Sequence, residues 1–343
     1  MKRQSTIAVS VLLAFALAGS TLAGCSSTTT ADSTTPATSA APAGMPAGGP
    51  PAGGAPGAGG GAADTSSVKT KYLDLAYANQ SDAQKLDIYL PNEGTGPFPV
   101  IISVHGGAFM MGDKADGQLT PMLAGLDRGY AVVGVNYRLS GESVAPAAIN
   151  DVKAAVRYVR ANAEKYNLDP DRIAAWGGSA GGNLVSLAGT SGGVKALSDP
   201  ALGNSEVSDE IQAVVDWFGP IDFGAMDEQF TASGTGPANH DAADSPESKY
   251  LGAALNTVPA KVKEADPTTY ITADDPPFLI QHGTNDANVP VEQSKDFSAA
   301  LIKTLGAEQV TLRLLDGASH ADAAFTTDEN VKLVLDWLDA NLK

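Results

Sequence analysis

The sequence predicts an α/β fold, a mostly parallel sheet with helices on both faces. Three observations predict it. Short runs rich in Val, Ile and Ala suit strands buried on both faces. Amphipathic stretches with helical spacing separate most of these runs. The first two strand-like segments instead alternate apolar and polar residues, as half-exposed antiparallel strands do. The chain has 343 residues, 43% of them apolar, and a formal net charge of −17. That is enough apolar material for a core. The acidity argues against nucleic acid as a partner, because releasing counterions from phosphates needs a basic face.

Read from the start, Lys2 and Arg3 precede an apolar stretch from residue 7 to 18. It is too short to span a bilayer but suits the hydrophobic region of a signal peptide. Small residues then lead to the only cysteine in Leu22-Ala23-Gly24-Cys25, which resembles a bacterial lipobox. The expectation is a lipoprotein signal peptide over 1–24 and lipidation of Cys25, giving an exported, membrane-anchored protein of the cell envelope. Residues 25–67 are Ser/Thr-rich, then Pro/Gly/Ala-rich. They cannot bury enough surface to offset chain entropy and read as a disordered tether. Residues 68–343 then form the folded domain.

Within that domain, 72–77 and 85–90 read as half-exposed strands. The buried strands are expected at 100–104, 131–135, 173–176, 213–218, 278–280 and 310–314. Helical patterns cover 146–161, 291–305 and 331–342. Residues 221–275 break the alternation. They are too long for a plain connection and read as a cap-like insertion near the active site.

The chemistry begins at Gly177-Gly178-Ser179-Ala180-Gly181, a G-x-S-x-G sequence between an expected strand and an expected helix. A serine on that sharp turn needs small neighbours, and the turn presents its hydroxyl at the strand end. Serine alone is a poor nucleophile and needs a base, itself oriented by a carboxylate. Of four histidines, His320 lies in the loop after the last strand and is chosen as base. His240 falls in the insertion, and His282 ends a strand. His105 reads as an anchor of its own loop. Asp286, after the penultimate strand, is chosen as acid over Asp316 and Asp322, which suit turn or cap roles. An oxyanion hole is expected from backbone N–H groups of Gly107, Ala108 and Ala180. Phe109, Met110 and Met111 are expected to wall the acyl side. The histidines match no metal-ligand spacing, so neither a metal nor a cofactor is expected.

These pieces resemble α/β-hydrolases of the hormone-sensitive-lipase-like esterases. They are closer still to the subgroup of bacterial bifunctional acetyl and feruloyl esterases. The resemblance rests on His105-Gly106-Gly107, Asn136-Tyr137-Arg138-Leu139, Asp151 through Arg157, and Asp169-Pro170-Asp171-Arg172-Ile173. It rests further on Gly177 to Gly182, Phe218-Gly219-Pro220-Ile221-Asp222, His282-Gly283-Thr284-Asn285-Asp286 and His320. Together they span nearly all of 70–343. Ala108 departs from a third glycine of the lipase-like loop, and Ser319 from a glycine often found before the histidine. The resemblance implies hydrolysis of an acyl ester. The expected Phe109–Met111 wall and the polar, Gly- and Pro-rich insertion, with the resemblance pointing the same way, favour a short-chain acyl or acyl-sugar ester, a small-molecule or carbohydrate ester, as substrate. Competing readings are a serine peptidase of the prolyl-oligopeptidase type and a lipid-anchored, non-catalytic binding protein.

Overall fold

Eight strands build one sheet in a computed structural model that describes residues 61–343. The expected signal peptide, Cys25 and the tether as far as residue 60 lie outside the described residues. The strands are β1 (Lys71–Ala76), β2 (Lys85–Tyr89), β3 (Phe98–Val104), β4 (Ala131–Val135), β5 (Leu168–Gly178), β6 (Ala213–Trp217), β7 (Phe278–Gly283) and β8 (Val310–Leu315). Their order across the sheet is β1-β2-β4-β3-β5-β6-β7-β8. β2 pairs antiparallel with β1 and β4, and every later pair is parallel.

The period of two along each buried strand divides the apolar residues between two cores. Val100 and Ile102 join one layer with Ile149 and Val152 of α2 (Ala147–Ala161) and Leu184 of α4 (Ala180–Thr190). α8 (Val291–Leu305) adds Phe297 and Leu301 to that layer. Ile101 lies in the other, with Val334, Leu335 and Leu338 of α9 (Asp328–Leu342). Single turns, α1 (Thr120–Leu123) and α3 (Ala163–Tyr166), complete the helices outside the insertion. α9 starts three residues before its apolar pattern, because the Thr327 hydroxyl caps Asn330 N–H.

Three departures from expectation have physical causes. β1 is almost wholly exposed rather than half-exposed, since it is the sheet edge and is bulged at Asp74, whose φ is 54°. β5 begins five residues early, in the polar run Leu168 to Arg172 that carries no strand pattern. Its start pairs Leu168 with Phe98 across a register shift. The expected tether boundary at 67 falls too late. Ala62 bridges Asp116, and Ala63 N–H donates to Ala115 O at 2.9 Å. Backbone pairing holds these small residues without any hydrophobic signal.

The insertion holds α5 (Met226–Ser233), α6 (Pro246–Leu251) and α7 (Pro259–Ala265). Phe223, Met226, Tyr250, Leu251 and Leu255 join the same core layer as α4. Asn183 of α4 donates to the Pro220 and Ala265 carbonyls, tying the start of the insertion and the end of α7 to that helix.

Candidate active site

β5 delivers Ser179 at its carboxyl end, and α4 leaves at once. The serine has φ 56° and ψ −125°, a conformation L residues rarely adopt. Ser179 N–H donating to Trp217 O at 2.9 Å helps to hold it there. The helix can start so close to β3 only because residue 181 is glycine: a Cβ there would stand 2.1 Å from Val104 O.

His320 and Asp286 arrive from the loops after β8 and β7. His320 Nε2 lies 3.0 Å from Ser179 Oγ, and His320 Nδ1 lies 2.7 Å from Asp286 Oδ2. The carboxylate only accepts, so Nδ1 carries the hydrogen and Nε2 faces the serine with its lone pair. The other oxygen, Asp286 Oδ1, accepts the N–H groups of Asn288 (2.8 Å) and Val289 (2.9 Å). Burial alone would raise this carboxyl's pKa, but hydrogen bonds from His282 and His320 outweigh it and hold it well below the ordinary carboxylate range. Hydroxyl, imidazole and carboxylate therefore form one hydrogen-bonded chain, which can pass a proton from Oγ to Nε2 while Asp286 fixes the ring. Among the described residues, neither competing acid hydrogen-bonds to His320. Asp322 accepts from Ser319 and caps Ala324 N–H, and Asp316 accepts from the Thr284 hydroxyl.

The loop after β3 faces the same serine. Gly107 has φ 107°, and a Cβ there would meet Met111 O at 2.1 Å. Ala108 and Phe109 follow at φ 56° and 59°. Among the described residues, the N–H groups of Gly107, Ala108 and Ala180 take part in no hydrogen bond. Three amides left open beside a hydroxyl can receive a substrate oxygen. His105 is an anchor: its Nδ1–H donates to Gly106 O at 2.8 Å, and its ring stacks on Tyr137 at 4.4 Å. Gln118 Oε1 accepts Gly106 N–H at 2.8 Å and steadies the loop further.

A cavity of about 710 Å³ opens over Ser179 and His320. Its apolar lining includes Met122, Trp217, Phe218 and Phe325. The expected Phe109-Met110-Met111 wall is only partly realised. Phe109 and Met111 reach the cavity, but the Phe109 ring is buried flat against Tyr250 at 3.9 Å, and Met110 lines a separate hollow of about 320 Å³. The loop's successive left-handed residues turn these side chains in different directions, which the sequence run alone does not show.

Sequence reasoning passed over three residues. Phe218, at φ 43°, sets its ring edge-on to His320 at 4.8 Å. His282 is fully buried behind Asp286. Asp216, also fully buried, accepts Gly219 N–H at 2.9 Å beneath the serine turn, and burial pushes its carboxyl pKa up to about 6. The available signal was position: each lies in or beside a strand end that faces the site.

A profile of the BD-FAE family matches residues 86–301. The probable carboxylic ester hydrolase LipM of Mycobacterium tuberculosis is 35% identical over 229 residues, 65% of this chain and 50% of LipM. The chain spans about half the length of the curated relatives it matches. A truncated carbohydrate esterase from gut microbiota is 32% identical with a TM-score of 0.72, covering 82% of this chain and 99% of its own. A bifunctional GH43-CE protein of Bacteroides eggerthii is 34% identical with a TM-score of 0.71, covering 80% of this chain and 35% of that one. By profile, by sequence relatives and by the sheet that carries Ser179, the chain belongs to the BD-FAE family of α/β-hydrolase-fold proteins.

Proposed function

We propose that the chain is a serine esterase acting on carboxylic esters through an acyl-enzyme. The observation that carries this reading is the hydrogen-bonded run Ser179–His320–Asp286, at 3.0 and 2.7 Å, below an accessible cavity. Ser179 Oγ attacks the ester carbonyl while His320 Nε2 takes its proton. The carbonyl oxygen becomes an oxyanion and is received by N–H groups of Gly107, Ala108 and Ala180. His320 then protonates the departing alcohol. Water, deprotonated by the same ring, releases the acid and restores Ser179. Oxyanion donors of this kind are worth about 3 kcal/mol each.

The substrate we propose is a short-chain acyl ester or an acylated sugar. The cavity supports it through a mixed lining in which insertion residues 237–247 contribute mostly small or polar side chains. A lid for long fatty chains would instead need a broad apolar face, since each buried methylene contributes about 0.8 kcal/mol. Two structural neighbours, a carbohydrate esterase and a GH43-CE protein, point the same way. We further propose that residues 1–24 are a signal peptide and that a lipid on Cys25 anchors the enzyme outside the cytoplasm. Fractionation of a Cys25→Ser variant tests this: continued membrane association of that variant is evidence against the lipid.

For the reaction, p-nitrophenyl acetate hydrolysis and fluorophosphonate labelling are measured on the wild type and Ser179→Ala. The wild type should be active and labelled. The variant should lose about 10⁴ to 10⁶ in rate and all labelling. A folded Ser179→Ala that stays active refutes the assignment.

A further inference from the structure

The insertion brings a second histidine–carboxylate pair to the cavity, unused by the mechanism above. Asp227, in the first turn of α5, accepts the backbone N–H of His240 at 2.7 Å, His240 Nδ1–H at 2.9 Å and Asp241 N–H at 3.0 Å. The His240 ring also stacks on Phe230, with centroids 5.3 Å apart and planes 21° from parallel. Its orientation is therefore set by contacts on one edge and one face. Asp227 only accepts, so Nδ1 carries the hydrogen and the neutral ring keeps a lone pair on Nε2. Nε2 has no partner among the described residues, and His240 lines the cavity with its side chain 10% exposed.

Glu247 lines the same cavity. It is 6% exposed, and its Oε2 has no partner among the described residues. Asn239 and Asp244 stand in the same stretch of lining. A buried carboxyl oxygen without a partner is costly unless a ligand supplies one.

We infer that His240, held by Asp227 and joined by Glu247, forms a subsite for the hydroxyl groups of a neutral polyol alcohol and sets the enzyme's preference for that half of its ester. The inference rests on the esterase reading above. An imidazole lone pair and one unpartnered carboxyl oxygen, whose protonated form burial favours, suit a ligand whose groups both donate and accept, and a sugar ring brings several O–H groups. A quaternary ammonium alcohol brings no N–H or O–H donors and binds best on an open aromatic face. Beside His240 the nearest such face, that of Phe230, is already covered by the imidazole.

The test compares two acetates of similar size, a mono-acetylated methyl β-xyloside and cyclohexyl acetate, by acetic acid release in a pH-stat. The wild type should prefer the xyloside ester. His240→Phe keeps a ring over Phe230 but removes Nε2, and the ratio of the two kcat/KM values should fall about tenfold, as expected for one hydrogen bond made to the bound alcohol. His240→Gln, which offers an acceptor again, should recover part of the ratio. A ratio that moves less than twofold in His240→Phe overturns the subsite, as does a wild type that prefers cyclohexyl acetate or acetylcholine. Should His240→Phe not fold, inhibition of the wild type decides: methyl β-xyloside must inhibit p-nitrophenyl acetate hydrolysis at lower concentration than cyclohexanol, and equal or weaker inhibition overturns the proposal. Wild-type turnover of p-nitrophenyl acetate keeps the two readings apart. Its absence removes the esterase itself, whereas turnover with an unmoved ratio removes only the subsite.

Discussion

His282 Nε2 lies 3.3 Å from Asp286 Oδ2, the same oxygen that His320 Nδ1 meets at 2.7 Å. Nε2 is also 3.0 Å from Val289 O. Both neighbours only accept, so Nε2 carries the hydrogen and shares it between them. In the neutral ring, Nδ1 then accepts from the Ser294 hydroxyl at 2.7 Å. A buried imidazole, oriented by a serine on α8, thus supports the acid from behind.

Replacing that donor should weaken the reaction without touching the substrate. His282→Leu is expected to lower kcat about tenfold with little change in KM, because Asp286 loses a hydrogen bond that favours its ionised form. His282→Gln, whose amide can again donate, should recover part of kcat. Steady-state kinetics on p-nitrophenyl acetate check this; a rise in KM at constant kcat would contradict it.

Asp286→Asn should be worse than the loss of a charge suggests. An asparagine must turn its NH₂ either towards His320 and His282 or towards the Asn288 and Val289 N–H groups, and both sides already donate. The variant is expected to lose activity on the order of 10⁴-fold, as a triad with a disturbed tautomer does. It should also lose about 1–3 kcal/mol of stability, the penalty of one frustrated buried group, and so unfold at lower urea concentration. Activity and urea midpoints measured together test both parts.

Asp216 predicts a pH dependence. Its folded pKa is about 6 against an ordinary 3.8, raised by burial. Between those values the folded chain keeps a proton that the unfolded chain has released, so this group's contribution to stability declines as pH rises through the window. At pH 7 the effect is about 3 kcal/mol at most. Asp216→Asn keeps an acceptor for Gly219 N–H and should flatten the slope of unfolding free energy between pH 4 and pH 6. An unchanged slope would mean that another group carries it.

The N-terminal boundary gives a comparison of two truncations. A chain starting at Gly61 keeps the Ala62–Asp116 bridge and the contact of Lys71 Nζ with Thr65 O at 3.1 Å. A chain starting at Val68 loses both. The first is expected to melt like the full-length protein, and the second about 2 °C lower, as a loss of about 1 kcal/mol implies in a domain of this size. Both should hydrolyse p-nitrophenyl acetate, because residues 61–67 lie outside the cavity lining.

What the sequence disclosed and what it hid follow from range. Strands such as 131–135 and the helix at 291–305 were legible because burial on two faces, or on one stripe, writes itself into a local period. The meeting of Ser179, Asp286 and His320 was legible because strand–turn–helix order restricts which loops converge at the carboxyl ends of the strands. The Asp227–His240 pair was not, since it joins positions 13 apart in an insertion without any period. Nor was the direction of Met110, which depends on three consecutive left-handed residues. The β5 start at Leu168 was hidden for another reason: backbone pairing with Phe98 needs no particular side chain there.

The flat contact of Phe109 with Tyr250 ties the loop that offers Gly107 and Ala108 to the insertion. Phe223 touches both rings edge-on, at 6.0 and 6.2 Å, and completes the joint. The insertion is therefore no exchangeable module. A segment grafted from a relative to change specificity would have to carry an aromatic residue at position 250 and a partner for it at 223. A graft without them would unseat the loop, and the chain would lose turnover on every ester together, however well the new segment fitted its intended alcohol.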